Sequence, residues 1–470
     1  MSGTLHRGVI FLQKVRPGVR AVRTRPYSCV TLWAFYCLGA FSALSIFDLP
    51  LIGLSITAPI FALVAFPTLF KPPEPWFRRY RGCLFLAAAI WLGSLASFLV
   101  NGPLSATNQT EMSHILPVVR YGYWLLVFVV TANFAAQPSL LSRLSVVLAV
   151  SISILAFLRL FEAAAWGKIG TSIEPRLLTQ NSYGGLFSTF SPFLLVFLVE
   201  PKGMRRVISA AGLLIVWGAA AINGSRGSWI GITVGLVTFV AFYSLSAPRQ
   251  AWRLIVPLFL SSCLFAGVMA SSARVREVVV SRFSTLQKLE TDKSYMERQV
   301  LNQKSWQLFC SSPLVGVGPG RYRETYAFLE LPEFFNPAVE THLNTKSAHN
   351  SYLLFIAEMG LVGALPFCCL LLFLAVRGLH TAWKLTRRGQ VWALGILASF
   401  AGMTVHLWAM AALTNTATWF VYGLLVASIM AAKQIELRHK HPVNICSLKG
   451  KPGVGGRPRQ LGASTALAQS

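Results

Sequence analysis

Acidic residues are the scarcest chemistry in this chain. Of 470 residues only 16 are Asp or Glu, and just two of these are aspartates, Asp48 and Asp292. No Asp-x-Asp pair exists to hold Mg²⁺ or Mn²⁺. Glu290-x-Asp292 is the nearest substitute, and a solvated loop explains it better, so a metal-dependent sugar-nucleotide transferase or a P-loop pump is disfavoured. Charge of both signs makes up 12% of the residues, about half of the roughly 25% carried by a soluble domain, which excludes an ordinary soluble enzyme. Cysteine is also thinly placed. Of eight cysteines only Cys310 falls in the largest loop, and the adjacent Cys368 and Cys369 lie in a hydrophobic run, so no disulfide framework is available.

What the chain has in quantity is apolar surface. Hydrophobic residues account for 54% and the mean hydropathy is +0.57. A membrane-spanning helix needs about 20 mostly apolar residues. Twelve runs qualify, near 29–47, 51–69, 82–100, 116–135, 144–161, 181–199, 207–222, 228–246, 254–271, 351–376, 391–410 and 413–432. The seventh is short and the second carries Pro59 and Pro67, so the count lies between eleven and thirteen. The expected fold class is an all-α, polytopic integral membrane protein of about twelve spans. A basic tail (1–28) precedes nine spans (29–271), a large, partly helical loop (272–350), three more spans (351–432) and a basic, disordered tail (433–470).

The net charge of +26 would suggest a polyanion if it formed one patch. It does not. With the N-terminus inside, every alternate turn is basic, and the cytoplasmic stretches hold 27 of the 42 Lys and Arg with only Glu74, Glu200 and Glu436 against them. By the positive-inside rule this sets both termini in the cytoplasm. The net cytoplasmic charge of +24 is a topology signal, and nucleic acid is not an expected partner. The basic tails could still touch anionic headgroups of membrane lipids. The first hydrophobic run lacks a small-residue cleavage site and reads as a retained anchor.

One long loop in an otherwise economical membrane protein is the natural seat of function. Residues 272–350 face outward, and Ser294 and Glu297 have the spacing of a capping box that opens a helix ended by Ser311-Ser312-Pro313. Gly316, Gly318 and Gly320 follow as a turn outside any βαβ context, so they are not a dinucleotide fingerprint. His349 closes the loop. It is one of three outward histidines, with His114 and His342, and an imidazole with pKa about 6.5 accepts a proton at neutral pH as a general base must. The alternative is a helix-start residue bonded to loop backbone. Outward arginines are the second group: Arg226 in the Asn223–Gly227 hairpin, with Arg176, Arg282 and Arg298 in loops. A guanidinium grips phosphate oxygens with two parallel hydrogen bonds; a solvated or snorkelling charge is the plainer account of any single one. Arg120 and Arg159, near helix ends, read as snorkelling, with a part in holding the headgroup as the alternative.

These residues resemble a known family. His349-Asn350, followed after nine residues by Gly360-x-x-Gly363, resembles the signature of the bacterial O-antigen ligase and polymerase family. Arg282-Phe-Ser-Thr-Leu286 resembles that family's Arg-x-x-x-Leu element, and Ser225-Arg226-Gly227 and the stretch from Arg298 through Trp306 and Pro313 to Gly316-Val317-Gly318 match in order. The resemblance covers about residues 223–365.

It implies an enzyme of the bacterial inner membrane whose active site faces the periplasm and works without metal, nucleotide or other cofactor. Such enzymes pass a glycan from undecaprenyl pyrophosphate to an acceptor hydroxyl on lipid A–core, on another glycan or on protein. On this model His349 deprotonates the acceptor, while Arg226, Arg282, Arg298 and Arg176 hold the pyrophosphate. Asn350, Gly316, Gly318, Gly360 and Gly363 carry the structural motif, the last two letting the tenth span approach a neighbour. The ligase reading is preferred to polymerase. The rival from another class is a transporter of a small anion or lipid-linked sugar, with His406 and Glu358 as the intramembrane candidates, each otherwise a hydrogen-bonded packing residue.

Overall fold

The computed structural model describes residues 29–440 apart from 45–47, 50–53, 56–59, 66–79, 103–111, 167–177, 200–202, 272, 274–275, 278–279, 281–283, 285–292, 327–346 and 414. Residues 27–434 form one compact unit. The fourteen helices named here are α1 Cys29–Leu44, α2 Arg81–Asn101, α3 Met112–Phe134, α4 Pro138–Trp166, α5 Gln180–Phe190, α6 Pro192–Leu198, α7 Met204–Asn223, α8 Arg226–Ser246, α9 Trp252–Ser271, α10 Lys293–Ser311, α11 Tyr322–Tyr326, α12 Ser351–Thr386, α13 Trp392–His406 and α14 Thr416–Lys440. A two-residue antiparallel pairing, Asp48–Leu49 with Leu54–Ser55, is the one strand pairing among the described residues.

The chain is an all-α polytopic membrane protein. Seven of its described helices are long and apolar enough to span a bilayer, and Val30–Ser42, Trp252–Gly267 and Trp392–His406 are shorter apolar helices. The expected run at 51–69 lies partly outside the described residues; within it residues 54–55 belong to the short strand pairing and residues 60–65 are helical. The run at 181–199 divides into α5 and α6 at Ser191, because Pro192 cannot donate to the preceding turn. Large side chains such as Phe85, Leu99, Phe157, Phe259 and Leu372 stand exposed. In a protein whose solvent is lipid they are the expected outer surface.

Lipid supplies no hydrophobic drive between helices, so close backbone approach and interhelical hydrogen bonds hold the bundle. At the contact of α5, α8 and α13, a Cβ on Gly231 would stand 2.6 Å from Ser188 Oγ, and one on Gly402 would stand 2.7 Å from Gly231 O. Only glycine admits that spacing. The Ser399 hydroxyl donates to Thr189 O across the same contact.

Helix α12 is interrupted at Gly360, which has φ 58° and ψ −160°. The interruption frees backbone groups that would be costly in lipid, and the 313–318 segment pairs with them. Val317 N donates to Ala357 O (2.9 Å), Gly318 N to Glu358 O (3.0 Å), Leu361 N to Pro313 O (2.9 Å) and Val362 N to Leu314 O (3.0 Å). The Ser97 hydroxyl of α2 also donates to Glu358 O (2.8 Å). The expectation of close packing through the Gly360-x-x-Gly363 pair therefore divides. Gly363 does meet a neighbour, since a Cβ on Gly93 of α2 would lie 3.0 Å from its Cα. Gly360 instead makes the break.

A Cβ on Gly360 would fall 2.4 Å from the Leu314 carbonyl, in a backbone region L-residues avoid. Gly360→Ala is expected to cost at least about 2 kcal/mol. Thermal unfolding in detergent measures it, with Gly82→Ala, where a Cβ meets nothing within 4 Å, as the comparison. Equal melting of the two variants would contradict this account of the kink.

Candidate functional site

The described part of the large loop folds onto the start of α12. A helix forms where one was expected, α10, but it begins at Lys293, one residue ahead of the expected cap Ser294, and ends at Ser311. Val300, Leu301 and Leu308 of α10 form a small core with Val317, Tyr322, Ala348 and Ala357, against which Met296 and Leu354 pack. Ala348 immediately precedes His349 and Arg298 sits in α10, so this core fixes both backbones. The loop is further tied by Asn101 at the end of α2, whose side-chain amide donates to Gly316 O (3.0 Å), and by Arg321, which donates to Asn101 O (3.1 Å). Burial pulls the Arg321 guanidinium below its ordinary value, and Glu324 partly opposes this. Gly316, Gly318 and Gly320 all have positive φ. They serve the turn that docks against the helix break.

Asn350 is the N-cap of α12. Its Oδ1 accepts from Tyr352 N (3.0 Å) and Leu353 N (3.2 Å), satisfying two donors that a helix start leaves orphaned. The pairing of His with Asn thus has a physical sense: the cap fixes the helix start, and His349 is held half-buried one residue before it. Ser351 then staples this start to the turn after α13. Its N–H donates to Leu407 O (2.9 Å), its hydroxyl donates to Met410 O, and its Oγ accepts from Ala412 N (2.8 Å).

Arg226 begins α8. Helix α7 ends on Gly224, whose left-handed backbone (φ 66°, ψ 18°) lets its N–H reach Ala220 O and Ala221 O, and Ser225 then opens α8. The Trp229 indole donates back to Ala220 O (2.9 Å), closing the hairpin. Reciprocal bonds between Gln180 and Asn223, Nε2 to O at 2.6 Å and Nδ2 to O at 2.8 Å, join the start of α5 to the end of α7. A Cβ on Gly227 would stand 2.6 Å from Ala409 Cβ and 3.4 Å from His406 Nδ1.

The starts of α5, α8 and α12 therefore meet around the segment 406–412. Each helix start carries a partial positive charge. Arg226 belongs to this cluster, and the charge of Arg298 is close enough to act on His406. The structure thus brings His349, Asn350, Arg226 and Arg298 to one end of the bundle. Arg176 and Arg282 lie outside the described residues, as do His342, Glu290 and Asp292. Among the described residues no three metal-ligating side chains stand together.

Of three buried charged or titratable side chains, two depart from their expected settings. Arg159 does not snorkel: it is 1% exposed, paired with Glu162 at 3.5 Å, and its guanidinium lies 5.7 Å from the Tyr183 ring centroid, while the Tyr183 hydroxyl donates to Glu162 (3.0 Å). A cation neutralised in this way is unavailable to a headgroup. Glu358 is a packing residue as expected, its carboxylate accepting from Tyr322 N (3.4 Å). His406, expected to be hydrogen-bonded, is not. Neither ring nitrogen has a partner at hydrogen-bonding geometry; backbone of Gly227 and Asn181 lies near enough to act on the ring but completes no such bond. A histidine closing an apolar helix was the only sequence signal for it.

Residues 211–368, about a third of the chain, match the family model described as O-antigen ligase. The matched region runs from within α7 through the interrupted part of α12 and so contains Arg226, Arg298, His349 and Asn350. No curated protein matches the chain.

Proposed function

The chain is a member of the O-antigen ligase and polymerase family, and from that premise we propose that it transfers a glycan from undecaprenyl pyrophosphate to an acceptor hydroxyl on the periplasmic face of the bacterial inner membrane. His349 takes the acceptor proton as the hydroxyl oxygen attacks the anomeric carbon. The new glycosidic bond forms while the bond from that carbon to the pyrophosphate oxygen breaks, and the electron pair leaves with the lipid pyrophosphate. Arg226 and Arg298 carry the charge of the leaving group, with Arg282 and Arg176 as further ligands, and no metal is required. The observation that carries this reading is the convergence of Arg226 and the capped His349 start on one turn, 407–412. The alternation of basic turns in the sequence supports termini in the cytoplasm and a periplasmic site.

Lipid A–core is the favoured acceptor, with a growing polysaccharide as the alternative. Transport of an anion or lipid-linked sugar is the rival that the interrupted α12 brings to mind. Against it, the carbonyls and amides at that interruption are bonded to the 313–318 segment and not turned to an open path.

Purified protein given an undecaprenyl-pyrophosphate-linked glycan and an acceptor is expected to form product at an unchanged rate in EDTA. Vesicles should show no flux of the same donor. Product formation abolished by EDTA would remove the metal-free mechanism, and flux without transfer would favour the transporter.

A further inference from the structure

Beside His406 lies a small cavity with about 20 Å³ of water-accessible space, room for about one water or one hydroxyl group. Its polar and sulfur-bearing lining is in part half-buried and in part buried. Ser182, Met410 and Asn415 are half-buried, whereas Thr189, His406 and Thr418 are buried. The two threonine hydroxyls already spend their protons on backbone, Thr189 on Gly185 O (2.7 Å) and Thr418 on Ala412 O (2.9 Å). Their remaining capacity is as acceptors. His406 is 3% exposed with both ring nitrogens unsatisfied. A buried polar group without a partner costs about 1–3 kcal/mol, so one beside a water-sized space that otherwise offers threonine hydroxyls among mostly apolar walls calls for an oxygen atom there.

The position adds a function to this chemistry. Leu407 also lines the cavity, its carbonyl holds Ser351 at the start of α12, and Ser351 is two residues from His349. We infer that the cavity is a hydroxyl subsite: a single oxygen bonded to His406 sits in it, a water at rest and a hydroxyl of the acceptor glycan during transfer. The acceptor role rests on the glycan-transfer reading; occupancy by one oxygen does not. His406 is then a substrate-positioning residue that orients the acceptor beside His349.

The test uses the full-length protein in nanodiscs, with His406→Leu and His406→Gln. Steady-state transfer is measured while donor and acceptor are varied separately. His406→Leu is expected to raise the acceptor KM about tenfold, leave the donor KM within about twofold, and melt near the wild-type temperature because an apolar side chain of similar size replaces a buried polar one. His406→Gln, which keeps a donor and an acceptor, is expected to recover the acceptor KM to within about threefold. An unchanged acceptor KM in His406→Leu, a shift confined to the donor, or a loss tracking lower stability without rescue by Gln would overturn the acceptor assignment. A high-resolution map of the resting protein decides occupancy separately. One oxygen peak within about 3 Å of a His406 ring nitrogen, absent in His406→Leu, is expected, and an empty cavity overturns the subsite. Should wild-type protein transfer no glycan, the family-based reading fails while the map still decides the cavity.

Discussion

Replacing His349 with alanine is expected to lower kcat by about 10²- to 10⁴-fold, the span that a positioned general base contributes. The size follows from chemistry: an acceptor hydroxyl is a poor nucleophile until its proton is taken as the bond to carbon forms. The site makes the experiment clean. His349 precedes the Asn350 cap, and the bonds that build the helix start come from Asn350 and Ser351. Removing the imidazole leaves those bonds in place, so the variant should fold, and donor affinity should stay within about threefold because the leaving group is held by arginine. Single-turnover transfer and donor binding on the same preparation separate the two. Turnover within tenfold of wild type would exclude His349 as the base, and a parallel collapse of donor affinity would recast it as a binding residue.

Arg226→Ala is expected to reduce kcat/KM by about 10²- to 10³-fold, comparable to the loss of a donor that stabilises developing charge at an active centre. As the phosphate oxygens leave, their negative charge grows, and a permanent cation at the start of α8 meets it together with that helix's own amide dipoles. Arg226→Lys should regain only part of the loss, since an ammonium supplies charge without the planar two-pronged bond. Donor binding should weaken in both variants, with kcat falling furthest in alanine. An Arg226→Lys enzyme equal to wild type would show that charge alone matters. Full activity in Arg226→Ala would remove the residue from the site.

Much of this protein is legible in one dimension because lipid is an exacting solvent. Apolar runs of spanning length and basic alternate turns follow from transfer energies that each residue carries with it. Hence the helical class and the helix from Lys293 are readable without coordinates. So are His349-Asn350 and the Arg226 hairpin, since caps and left-handed glycines act over three or four residues. The misreadings share a cause. Arg159 looks like a snorkelling cation until Glu162 and Tyr183 are seen around it. The run at 181–199 reads as one span until the helix divides before Pro192.

The sequence by itself determined that the chain is a membrane protein and which local segments carry reactive groups, because hydropathy, capping and positive φ are properties of neighbours along the chain. Only the tertiary structure decided that Arg226 and the capped start at His349 meet on the 407–412 turn, that Gly316–Gly318 seal a break at Gly360, and that His406 lines a water-sized cavity without a partner. Those relations join residues far apart in the chain. They depend on backbone approaches and hydrogen bonds that only packing creates.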